Sequence, residues 1–138
     1  MSNNSKSVKL HVHSTASDGT DTPTELVYKA ATLGLSAIAL TDHDTLAGLG
    51  EARAAAAKVD LELVPGCELS TLTPYGEAHL LAFWPDETPQ ALAALNIQAK
   101  NRRKRNLAIL RRLAELGINL TERDLMVEAT GDVVGRPH

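Results

Sequence analysis

The chain lacks the residues for several whole classes of protein. Its single cysteine, Cys67, excludes an intrachain disulfide and fits a reducing compartment. Aromatic residues make up only 3% of the sequence, so alanine, leucine and valine must do most of the packing. The longest apolar runs, near Ala37–Leu40 and Ala78–Trp84, are too short to span a bilayer. The start, Met1 to Lys6, is polar and carries no apolar core of a secretory signal, so a cytoplasmic location is the expectation. Net charge is only −3, which gives no global pull toward nucleic acid. There is no internal repeat and no low-complexity linker, and 138 residues leave room for one domain at most. One local absence stands out. No acid lies between Thr88 and Ala114, while Lys100 to Arg112 holds seven of the 14 basic residues.

The remaining pattern is that of an α/β protein. Lys9 to His13 alternates as a short strand does. Thr22-Pro23-Thr24-Glu25 is a capping box with proline at the first helical position. It predicts a helix that buries Leu26, Ala30 and Leu33 and stops at Gly34. The apolar run Ser36–Leu40 suits a strand buried on both faces. An alanine-rich helix over 46–58 follows, with Thr41 or Asp44 as its cap, then a third strand over 61–64 that ends at Pro65-Gly66. Thr73-Pro74-Tyr75-Gly76 reads as the turn before a fourth strand over 77–83. Residues 89–116 read as one long amphipathic helix or two, ended by Gly117, and Thr121 caps another. Strand, helix, strand, helix, strand implies parallel βαβ units, and the expectation is a four-strand parallel sheet. In such a sheet the C-terminal strand ends share one rim, where α/β sites are built.

Chemistry concentrates at that rim. His11 and His13 are two apart on a strand, so both side chains share a face and can share a metal. Asp18 lies in a turn a few residues on, where an aspartate by itself is ordinary turn chemistry. His43 stands between Asp42 and Asp44, directly after the buried strand, where polar residues need partners. Glu68 follows the Pro-Gly break, and its two oxygens could bridge two ions. His79 alternates with Leu81 and Phe83, a setting more typical of a satisfied core histidine, with Glu77 on the same face as its alternative partner. Imidazoles and carboxylates together are a ligand set for divalent metals.

The segments LHVHSTASDGT, AIALTDHDTLAGL, LVPGCELST and EAHLLAFWPD resemble the successive motifs of the PHP (polymerase and histidinol phosphatase) superfamily. Within it they are most similar to the small stand-alone TrpH/YciV-like phosphoesterases. The likeness runs from about Leu10 to His138. It implies a distorted (β/α)7 barrel, here only its N-terminal part, with a helical segment after the fourth strand. The implied organisation is a disordered tail over 1–8, barrel over 9–87 and a helical, substrate-contacting segment over 88–138, with the barrel cut off at 138. The resemblance also implies a cluster of two or three ions of manganese, iron or zinc. His11 and His13 would hold one, Glu68 would bridge to a second shared with His79, and Asp18 and His43 would hold a third. Glu68, His43 and Asp18 are thereby the implied catalytic residues. Arg102 and Arg105, on one helical face, and Arg136 and His138, in a Gly-Arg-x-His motif, are the implied substrate contacts.

The expected activity is hydrolysis of phosphate esters by a metal-activated water, acting on nucleoside 3′,5′-bisphosphates or the 5′ ends of short oligonucleotides. Histidinol-phosphate phosphatase and a non-catalytic PHP module are the alternatives. Lys9 departs from the acid that many members carry before Leu-His-x-His. Ligands that the family carries further downstream have no counterpart, since His138 is the only histidine after His79. The expectation is therefore an unfinished barrel, under-coordinated metal, weak activity from this chain alone and self-association through its open edge.

Overall fold

The computed structural model describes residues 7–129. Strand β1 (Val8–Val12) leads through a loop to helix α1 (Pro23–Thr32), then to strand β2 (Ala37–Leu40) and helix α2 (Leu49–Ala56). Strand β3 (Glu62–Thr73) turns into strand β4 (Gly76–Phe83), and helices α3 (Pro89–Glu115) and α4 (Glu122–Glu128) follow. The four strands form one sheet in sequence order. β1, β2 and β3 run parallel, and β4 runs antiparallel to β3.

The caps act as their residue types dictate. Thr22 and Glu25 close a full capping box on α1, and Thr121 and Asp124 do the same on α4. Thr88 caps α3, which is one unbroken helix. All four residues of β2 are buried, as a strand covered on both faces requires. The core packs Ile38 and Leu40 of β2 against Val27 and Ala30 of α1 and Leu49, Ala52 and Ala55 of α2, with Leu61 closing it.

Four expectations are corrected. The buried face of α1 is Pro23, Val27 and Ala30, while Leu33 sits at the helix C-cap and is 77% exposed. Helix α2 starts at Leu49, not Leu46, and its N-cap is Gly48 with no side-chain cap, so neither Thr41 nor Asp44 caps it. β3 does not end at Pro65-Gly66. It changes partner there, pairing with β2 through Pro65 and with β4 from Gly66 onward. A Cβ at residue 66 would lie 2.8 Å from the Thr41 methyl and 3.1 Å from the Leu40 carbonyl oxygen, so the crossing of three strands needs a glycine. Finally, the two-residue turn at Pro74-Tyr75 makes β3 and β4 a hairpin, so the fourth strand is antiparallel rather than parallel.

Candidate metal centre

The ends of β1 and β2 and the face of β4 converge on Glu68, which lies in the middle of β3. Its Oε2 lies 2.9 Å from His11 Nε2 and 2.8 Å from His13 Nε2. Its Oε1 lies 3.0 Å from His79 Nδ1. His13 uses its other nitrogen, Nδ1, on Asp18 Oδ1 at 2.8 Å. His43 Nε2 stands 3.5 Å from Asp18 Oδ2 and 3.6 Å from Glu68 Oε2. All six residues named from the sequence thus fall in one cluster. Within it, His11, His13 and Glu68, then His13, Asp18 and His43, then His43, Glu68 and His79 form three groups, each with its nitrogen and oxygen atoms within 4.8 Å of one another. Glu68, His13 and His43 each belong to two groups. Glu77, the sequence alternative for His79, is only its distant neighbour at 3.7 Å.

Local backbone rules deliver these side chains. His11 and His13 share a face because they are two apart along the strand direction. His43 extends the β2–β3 pairing as a single parallel bridge to Glu68, with the Asp44 N–H donating to the Glu68 carbonyl and the Glu68 N–H to the Asp42 carbonyl. The sequence did not assign Asp42 a role. Its carboxylate is buried and accepts three hydrogen bonds, from the Ser14 N–H at 2.7 Å, the Ser14 hydroxyl at 2.7 Å and the Ser17 hydroxyl at 2.6 Å. That knot ties the loop carrying His13 and Asp18 to the end of β2. The available signal was a polar residue after a fully apolar strand, which must find partners to be buried there.

Charge at the cluster is finely set. The His13 hydrogen bond holds Asp18 well below the usual carboxylate range, at about 2. Burial alone would lower His13, but the bond and charge of Asp18, with the charges of Glu68 and Asp42, outweigh it and raise His13. Burial lowers His43. Burial alone would raise Glu68, yet the hydrogen bond from His11 and the histidine charges lower it. Beside it, Cys67 is buried and its thiol, donating to the Asp42 carbonyl, is pushed by burial up to about 11, which makes it a packing residue.

The donor set fits divalent cations. His11 Nε2 and His13 Nε2 approach each other to 2.9 Å while both face the same Glu68 oxygen. If both nitrogens carry protons toward the carboxylate, the two protons crowd each other; if one does not, its lone pair faces an anion. A shared cation resolves that conflict, and nitrogen and carboxylate oxygen together suit manganese, iron or zinc. His43 Nδ1 is buried with no hydrogen-bond partner among the described residues, so nothing bonded to the ring commits its other nitrogen elsewhere.

Next to the cluster, a cleft of about 470 Å³ opens between α3 and the β3–β4 hairpin, lined by Asp44, Ser70, Glu77, Asn101, Arg102 and Arg105 among others. Arg105 donates to Glu77 at 3.3 Å. Arg102 is buried, pairs with Asp44 and donates to Ser70 Oγ at 3.1 Å. Arg112 is exposed on Glu115. Arg136 and His138 lie outside the described residues.

The α/β sheet, curled like half a barrel, matches the N-terminal part of PHP-type barrel structures. The PHP domain family matches residues 9–118, and the chain belongs to that family. It is 44% identical over 114 residues to a 5′-3′ exoribonuclease of Haemophilus influenzae, covering 82% of this chain and 42% of that protein. It is 41% identical over 87 residues to a 3′,5′-nucleoside bisphosphate phosphatase of Chromobacterium violaceum, covering 63% of this chain and 30% of that protein. A solved structure from Bifidobacterium adolescentis, assigned as a metal-dependent phosphoesterase, superimposes with a TM-score of 0.87 at 31% identity, over 97% of this chain and 48% of that one. The chain spans less than half the length of the curated relatives it matches. Among the described residues, no helix is long and apolar enough to cross a membrane.

Proposed function

We propose that the chain carries a metal centre for hydrolysing phosphate esters of nucleotides or short oligonucleotides. The observation that supports this reading most is the position of Glu68, whose two oxygens face different histidine groups beside a cleft containing two arginines. The relatives named as an exoribonuclease and a nucleoside bisphosphate phosphatase favour the substrate class.

In this reading His11, His13 and Glu68 hold one ion, His43, Glu68 and His79 a second, and Asp18 with His43 a third. Manganese, iron or zinc, when bound there, would lower the pKa of a water and offset charge on the phosphoryl oxygens. The chain's own residues do the rest. Glu68 and Asp18 stay anionic at neutral pH, and His43, kept neutral by burial, offers a lone pair. Arg105 supplies a planar guanidinium for the substrate phosphate at the cleft, which Arg102 also lines while its own fork is held by Asp44 and Ser70, and Arg136 and His138 are further contacts. A cytoplasmic setting suits a nucleotide substrate and an unpaired cysteine.

The test is titration of the chain with Mn²⁺ or Zn²⁺ by calorimetry, then phosphate release from a nucleoside 3′,5′-bisphosphate and a 5′-phosphorylated oligonucleotide. Metal binding that Glu68→Ala abolishes, with hydrolysis that follows metal occupancy, is expected. No binding of either ion at micromolar concentration would overturn the reading.

A further inference from the structure

We propose that Arg102 is a positioning residue that holds Asp44, and through it the backbone that presents His43 to the cluster. The inference rests on the metal-centre reading and adds a role for a charged side chain on an otherwise exposed helix.

Arg102 and Leu110 are the only buried residues of α3. A guanidinium cannot shed its charge, so its burial requires an anionic partner in good geometry. That partner, Asp44, is itself buried and has φ +52, in the left-handed region that few non-glycine residues adopt without support. The support is explicit. Asp44 Oδ1 accepts the Ser70 N–H at 2.8 Å, and Oδ2 accepts from Arg102, which also donates to Ser70 Oγ. One carboxylate therefore joins the β2–α2 loop, β3 and α3.

His43 is the residue next door, and its ring meets only the rings of His13 and His79 edge-on, at centroid distances of 4.5 and 5.0 Å. Nδ1 has no partner among the described residues, and Nε2 is 3.5 Å or more from Asp18 and Glu68. Its direction therefore depends on those two rings and on the backbone at Asp42 and Asp44. Asp42 is fixed by Ser14 and Ser17, within the loop and sheet. Asp44 is fixed from β3, through the Glu68 carbonyl and the Ser70 N–H, and from α3, through Arg102. The seating of α3 thereby sets the aim of a side chain shared by two of the three ligand groups.

The variants are Arg102→Lys, which keeps the charge but loses the fork, Asp44→Asn, the double variant, and Arg103→Lys as a control on the exposed side of α3. Two readouts apply: Mn²⁺ affinity by calorimetry, and the imidazole ¹⁵N and ¹H resonances of His43 in the metal-free protein. Arg102→Lys and Asp44→Asn are each expected to weaken Mn²⁺ binding about 10-fold or more, the scale of losing a group that orients a ligand, and to shift the His43 resonances. The double variant is expected to be no worse than either single one. Arg103→Lys is expected to change neither readout. Wild-type affinity and unshifted His43 resonances in folded Arg102→Lys would overturn the proposal. If Arg102→Lys fails to fold, the same result in Asp44→Asn overturns it. If the wild-type chain binds no Mn²⁺, the metal-centre reading fails, and the His43 resonances still decide the positioning role.

Discussion

From β1 to β3 the molecule is held by buried apolar area: Val27, Ala30, Ile38, Leu40, Leu49, Ala52, Ala55 and Leu61 interlock between two helices and a strand. Among the described residues from α3 onward almost nothing is buried. α3 encloses Arg102 and Leu110, and α4 encloses no side chain at all. The first region stands on the hydrophobic effect, which is non-directional and cooperative. The second stands on caps, surface ion pairs and one buried guanidinium, which are directional and separable. The difference separates two jobs. The packed region gives the cluster a rigid frame, and the exposed helix contributes through a few charged contacts that can be altered without collapsing the frame.

The sharpest way to break the comparison is truncation on both sides of it. Leu40→Ala should cost about 2–5 kcal/mol of stability in urea unfolding, the range for a buried leucine. Ile97→Ala on α3, which is 58% exposed, should stay within about 0.5 kcal/mol. Similar losses at the two sites would mean that α3 belongs to the core.

The cluster should respond without a matching loss of fold. Glu68→Ala should weaken Mn²⁺ binding by about 100-fold or more, above the roughly 10–100-fold typical of losing a group outside the ligands, and by more than any single histidine change. A larger loss for His11→Ala would argue that Glu68 serves one ion only. Arg105→Ala should raise KM for a phosphorylated nucleotide by the equivalent of about 1.5–3 kcal/mol, the value of a hydrogen bond to a charged group. Unchanged kinetics would remove it from the cleft's function.

Acid should act on the frame's loop through Asp18. Asp18 sits at about 2, below its ordinary 3.8. It therefore contributes stability at pH above 3.8, which is lost as pH falls toward about 2. His13 is raised, so its contribution is present below 6.5 and lost as pH rises through its folded value, whereas His43 is lowered and runs the other way. Because protons compete with metal for His13 from above 6.5, Mn²⁺ affinity should fall as pH drops from about 8 to about 6. Melting curves of the metal-free chain and of Asp18→Asn across the acid range check the first point, since the variant should lose its share of the acid sensitivity. Mn²⁺ titrations at several pH values check the second. The smallest effect is expected at the α1 cap, where Thr22→Ala should cost about 1 kcal/mol. A neutral Thr22→Ala would mean that packing alone fixes the start of α1.

What could be read directly was what nearest neighbours in the chain decide. Thr22 and Glu25 are three apart, His11 and His13 two apart, and Ala37–Leu40 is a continuous apolar run. Helix and strand periods act over those distances, so caps, a buried strand and a shared face followed from residue order. His79 was ambiguous because its immediate surroundings are apolar. Its partner Glu68 is 11 residues away and reaches it only once the hairpin forms. Pro65-Gly66 read as a strand end because proline and glycine usually break strands. The structure uses them to change β3 from one neighbour to another, which depends on where β2 and β4 lie.

The amino-acid order by itself determined the α/β alternation, the starts of α1, α3 and α4 and the shared face of His11 and His13, since each depends on residue type and short spacing. Only the tertiary structure decided that β4 returns antiparallel, that Asp42 serves as an anchor rather than a ligand, and that Asp44 holds Arg102 from 58 residues away. A buried charge can be satisfied by any opposite charge the fold brings near, and local sequence carries no signal of which one that is.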